Sequence, residues 1–106
     1  DIGQSVVINN GYVLAIEGPE GTDETIKRSS LLSKKYKLKN NSILIKFPKA
    51  KQDLRVDLPT IGLDTIKNCI KANIKGIAVK RSQNIILDKD KIINLTKKNN
   101  FFIISL

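Results

Sequence analysis

Ser5-Val6-Val7-Ile8-Asn9-Asn10-Gly11-Tyr12-Val13-Leu14-Ala15-Ile16 sets how this chain folds. Ser5–Ile8 and Tyr12–Ile16 are apolar runs of strand length. Asn9-Asn10-Gly11 between them favours a tight hairpin, because Asn and Gly tolerate positive φ. Glu17-Gly18-Pro19-Glu20-Gly21 continues neither a strand nor a helix. Thr22 is then expected as an N-cap, with Asp23 and Glu24 in the first turn where negative charge is favoured. This helix should reach about Lys35. Its apolar face of Ile26, Leu31 and Leu32 is thin, so it should pack on one side only.

Further along, Asn40-Asn41 is a break, and Ser42–Phe47 reads as a strand ended by Pro48. A charged strand follows, and then a helix from about Leu63 to Asn73. Gly76–Val79 and Asn84–Leu87 read as short strands joined through Arg81-Ser82-Gln83 as a hairpin. Asp88 or Asp90 should cap a helix to about Lys98, with Ile92, Ile93 and Leu95 inward and Asn99-Asn100 as its stop. Phe101–Leu106 is a final apolar strand. This order predicts an α/β fold with a mixed sheet and about three helices in a single domain.

The 106 residues suit one domain, and 41% are hydrophobic, enough for a core of Ile, Leu and Val. No Met is present, so the chain is expected to be an excised domain or the ordered part of a longer protein. Asp1-Ile2-Gly3-Gln4 lacks the features of a signal peptide, and no apolar run approaches the roughly 18 residues of a membrane helix. A soluble protein is expected. There is no His and one Cys, which excludes an internal disulfide, a Ser-His-Asp triad, a Cys-His dyad and a zinc site built from this chain alone. A metal here would be a hard cation on oxygen ligands. Cys69 falls on an apolar helical stripe with Leu63, Ile66 and Ile70 and is expected to be a buried thiol.

The net charge of +9 admits a polyanion partner. However, the lysines are spread along the chain, and abundant Lys, Ile and Asn together suit codons rich in adenine and thymine. The one dense cluster, Lys34 to Lys39, falls where a helix should end and suits its dipole. Nucleic-acid binding is not expected. Lys46 and Lys49 are the lysines best placed to face a phosphate-bearing ligand.

Lys51-Gln52-Asp53-Leu54-Arg55-Val56-Asp57-Leu58-Pro59-Thr60-Ile61-Gly62 carries the strongest chemical signal. Strict alternation puts Asp53, Arg55 and Asp57 on one side and Leu54, Val56 and Leu58 on the other. Seven of the ten acidic residues gather in two places: Glu17, Glu20, Asp23 and Glu24 in the first, and Asp53, Asp57 and Asp64 in the second. Mg²⁺ enzymes acting on phosphates hold the ion by one or two carboxylates plus substrate oxygens, while Arg and Lys neutralise charge on phosphorus. In a straight strand Asp53 and Asp57 are about 13 Å apart, at roughly 3.3 Å per residue. They cannot then share an ion whose ligands lie at about 2.1 Å, unless the segment bends. A surface ladder of Asp53, Arg55 and Asp57 is the plain structural alternative, and helix capping alone explains Asp23 and Glu24.

Together with Asp1-Ile2-Gly3-Gln4-Ser5-Val6-Val7, Glu17-Gly18-Pro19-Glu20-Gly21-Thr22-Asp23, Ile45-Lys46, Lys49, Gly76–Val79 and Ile86-Leu87-Asp88, this motif resembles the C-terminal domain of the UDP-2,3-diacylglucosamine pyrophosphatases of LpxI type. The resemblance spans nearly the whole chain. Ala50, where the family usually has proline, and Pro19 inside the acidic turn are departures that remove no chemical group.

The resemblance implies residues 1–106 as a C-terminal catalytic-type domain whose N-terminal partner domain is absent from this sequence. It implies a metal-dependent hydrolase of lipid A biosynthesis that gives UMP and 2,3-diacylglucosamine 1-phosphate, with the ligand between the two domains. Asp53, Asp57 and Arg55 stand as catalytic residues, and Lys46, Lys49, Thr22 and Gln52 as substrate-binding residues. Asp53, Asp57, Glu20 and Asp23 stand as candidate ligands for Mg²⁺, or alternatively Mn²⁺. The implied setting is cytoplasmic, peripheral at the inner membrane of a Gram-negative bacterium, with a homodimer left open. The isolated domain is expected to be inactive. The competing reading is a non-catalytic basic binding or dimerisation module.

Overall fold

Asn10 and Gly11 both take positive φ (48° and 85°), the signature of a type I′ turn, and they join β1 (Ser5–Asn9) to β2 (Tyr12–Ile16) as an antiparallel hairpin. The computed structural model describes residues 5–47, 60–80, 85–86 and 89–106. The other elements are α1 (Thr22–Lys35), β3 (Ser42–Lys46), β4 (Thr60–Ile61), α2 (Leu63–Lys71), β5 (Ile74–Val79), β6 (Ile85–Ile86), α3 (Lys89–Asn99) and β7 (Phe102–Ser105).

The main sheet has the order β2-β1-β3-β5-β7. β1 runs antiparallel to β2 and β3, whereas β3, β5 and β7 are mutually parallel. This is the expected mixed sheet with three helices. One sheet face packs on them: Val7, Leu44 and Ile77 form one buried cluster with Ile26 of α1, Ile66 and Cys69 of α2, and Ile92 of α3. Period-2 alternation explains the choice, since Ser5, Val7 and Asn9 are buried while Val6 and Ile8 are only half-buried. The helices stop at αL residues. Lys37 (φ 53°) closes α1, with Lys37 N–H donating to Lys34 O and Leu38 N–H to Ser33 O, a Schellman arrangement. Asn73 (φ 61°) and Asn100 (φ 52°) follow α2 and α3. Among the described residues no helix is long and apolar enough to cross a membrane.

Four local expectations are corrected. Thr22 is not the N-cap of α1. Gly21 holds that position, and no side chain caps it. The inward face of α1 is Thr25, Ile26 and Ser29, while Leu31 is 68% exposed. Five residues on from Ile26 is about 140° round the helix at 100° per residue, so Leu31 cannot share its face. Ile93 is likewise exposed, because it neighbours the buried Ile92 and points about 100° away. Finally, β5 and β6 form no hairpin. β3 and β7 occupy both edges of β5, and β6 pairs in parallel with β4 in a separate two-stranded sheet. The charged segment ahead of Thr60 lies outside the described residues.

Gly76 makes one close approach. A Cβ there would lie 2.4 Å from the Phe102 ring of the neighbouring strand. Gly76→Ala is therefore expected to destabilise the protein by roughly 1–3 kcal/mol, the cost of overpacking. A lower urea midpoint with unchanged slope would show it, and an unchanged midpoint would refute it.

Candidate active site

A cluster of buried polar groups lies at the carboxyl end of β3, the end of a parallel sheet where ligands bind in α/β proteins. Lys46 is the last residue of β3 and is 5% exposed. Its partner across the antiparallel pairing is Ser5, the first residue of β1. Glu17, directly after β2, is 6% exposed and lies beside Ser5 through a 2.9 Å hydrogen bond from Glu17 N–H to Ser5 O. The Glu17 Oε1 accepts from the Ser5 hydroxyl at 2.7 Å and from the Thr22 hydroxyl at 2.6 Å. Thr65, in the first turn of α2, donates to Asp23 Oδ1 of α1 at 3.4 Å, so the N-termini of both helices reach this end of the sheet.

Burial lowers the Lys46 ammonium below its usual range, and the charges of Glu17 and Asp23 act against that shift. Cys69, fully buried beneath, is pushed up to about 12 by burial, with the Asp23 charge adding to it. A thiol held there stays protonated at neutral pH and is inert, as the sequence led us to expect. Glu20 faces elsewhere. Its Oε1 accepts from Arg28 at 2.8 Å, Thr25 at 3.0 Å and the Gly18 N–H at 3.3 Å. Arg28 chiefly holds this carboxyl below the usual range.

Of the residues singled out in the sequence, Lys46, Thr22 and Asp23 come together here. Glu20 is engaged by Arg28 on a more exposed part of the turn. Lys49, Gln52, Asp53, Arg55 and Asp57 lie outside the described residues. Glu17 and Ser5 were not among the expected site residues, although the signal was present: alternation puts Glu17 on the inward face with Ala15, and Ser5 with Val7.

Among the described residues no three acidic, His or Cys side chains gather as a metal site. The donors at this end are the carboxylates of Glu17 and Asp23 and the hydroxyls around them. Such hard oxygen donors fit Mg²⁺, which takes one or two carboxylates and keeps water, and do not fit zinc.

The chain matches the LpxI C-terminal domain over residues 1–104. This chain belongs to the LpxI C-terminal domain family. The UDP-2,3-diacylglucosamine pyrophosphatase LpxI of Caulobacter vibrioides is 34% identical over 109 residues, a match covering 100% of this chain and 39% of that protein. The chain thus spans about two fifths of the curated relative's length. Among solved structures, the apo dCMP deaminase of the cyanophage S-TIM5 superposes with a TM-score of 0.52 at 15% identity, covering 96% of this chain and 78% of that one. That likeness shows a shared fold and nothing of activity.

Proposed function

We propose that this chain is the C-terminal part of a UDP-2,3-diacylglucosamine pyrophosphatase, a hydrolase of lipid A biosynthesis that releases UMP and 2,3-diacylglucosamine 1-phosphate. The observation that carries this reading is the match of the whole chain to a relative of that name. The buried Lys46, set beside two helix N-termini whose N-caps are the glycines Gly21 and Gly62, supports it as a place for phosphate oxygens.

In this reading Lys46, Lys49 and Arg55 neutralise charge on the pyrophosphate, and Thr22 and Gln52 help to seat it. Glu17 and Ser5 fix the wall beside Lys46. One of Asp53 and Asp57 would hold Mg²⁺, for which Mn²⁺ could substitute, or orient the attacking water, with Asp23 as a further candidate ligand. When bound, the ion supplies charge neutralisation on phosphate oxygens. Hydrolysis of a pyrophosphate needs a positioned water and little covalent chemistry from the protein, which suits a chain without His and with an inert thiol. The substrate sits against an N-terminal domain of the same protein, at the cytoplasmic side of the inner membrane.

The test is release of UMP from UDP-2,3-diacylglucosamine by the full-length protein, with and without Mg²⁺. Metal-dependent release is expected, and no release under either condition would overturn the reading. The 106-residue chain alone should be inactive. Turnover by it would mean that the site is complete within this domain.

A further inference from the structure

The sheet has a second face, and the described helices do not cover it. The strand register aligns Ile16, Val6, Ile45, Ala78 and Ile104 in one row across the five strands. The neighbouring row, from Val13 to Phe102, is also apolar, and neither row holds a charged residue. Val13 is 60% exposed, Ile16 51% and Ile104 45%. Two of the four strand pairings, β3-β5 and β5-β7, are parallel, and sheets built wholly of parallel strands have both faces covered.

Two features decide what covers it. Five strands at about 4.8 Å spacing, each about five residues long, give a face of roughly 24 Å by 16 Å, about 400 Å². Two such faces bury about 800 Å², the size of a weak packing contact, against at least about 1,200 Å² for a stable association between separate molecules. A segment of the same polypeptide needs no such area, because its effective concentration is in the millimolar range. The family is by description a C-terminal domain, and the match occupies only 39% of the Caulobacter protein. In such a protein the polypeptide ahead of this domain leads into β1, the strand that carries Val6 and Ile8 on this face.

We propose that the polypeptide preceding this domain lays an amphipathic helix, about 10 Å across, over Val6, Ile8, Ile43 and Ile45 on the sheet face opposite α1, α2 and α3. The proposal rests on family membership and on the face itself, and is independent of the catalytic reading.

The test uses full-length protein carrying Ile45→Cys, with Leu32→Cys on α1, half-buried to the same class, as reference. Each is labelled with a thiol reagent and read by peptide mass spectrometry, and the protein's mass is taken by light scattering. The expected result is labelling at position 45 slower than at position 32 by about 100-fold, since it requires local opening, in a monomer and independent of protein concentration. Labelling as fast as the reference would overturn the proposal. Protection that fades on dilution with loss of a dimer would overturn it in favour of a second copy. Val6→Cys repeats the measurement if Ile45→Cys does not fold.

Discussion

Asp53→Ala or Asp57→Ala in the full-length protein is expected to slow hydrolysis of UDP-2,3-diacylglucosamine by at least about 100-fold at one of the two positions, the size of effect of removing a positioned catalytic group. The two losses should be unequal. Unless the segment bends, four residues at roughly 3.3 Å each would separate the carboxylates by about 13 Å, too far to serve one ion together. The group that acts in the transition state should lower kcat and kcat/KM alike, while one that only helps to seat substrate should raise KM. Wild-type turnover by both variants would leave Asp53, Arg55 and Asp57 as a structural ladder and favour the binding-module reading.

Lys46→Met carries the second large effect. The replacement keeps length and removes the charge. If Lys46 meets the pyrophosphate oxygens, turnover should fall by about 100-fold or more. Rates within a factor of a few of wild type would remove Lys46 from the site.

Stability gives an independent readout. Burial lowers the folded-state pKa of Lys46 below its unfolded value of 10.5. Between the folded value and 10.5 the unfolded chain binds more protons than the folded one, so this group makes stability rise with pH across that window. Below the folded value it contributes no pH dependence. Wild type should therefore gain stability relative to Lys46→Met as pH approaches 10.5. A constant difference between the two would show that the ammonium is not desolvated.

Much of this was legible in the chain because it depends on neighbours in sequence. Asn10-Gly11 makes a type I′ turn by local φ preference, and the Leu63, Ile66, Cys69 and Ile70 spacing makes one helical stripe. Asn73 and Asn100 end their helices for the same local reason. Sequence and structure differ where a local signal competes with a partner distant in sequence. Thr22 looked like a cap, but its hydroxyl is taken by Glu17, itself held by Ser5 from another strand. The β5–β6 hairpin was plausible from turn chemistry, but β3 and β7 leave β5 no free edge.

The candidate site divides along the same line. The sequence alone carried the motifs that resemble the family, and it determined the element types, the inert thiol and the exclusion of His- and Cys-based chemistry, the last three of which follow from residue identity and short-range periodicity. Only the tertiary structure decided that Lys46, Ser5, Glu17, Thr22 and Asp23 share one end of the sheet, that Glu20 pairs with Arg28, and that the described helices leave a second apolar face uncovered. Those outcomes depend on strand order and register, which are fixed by packing between segments tens of residues apart.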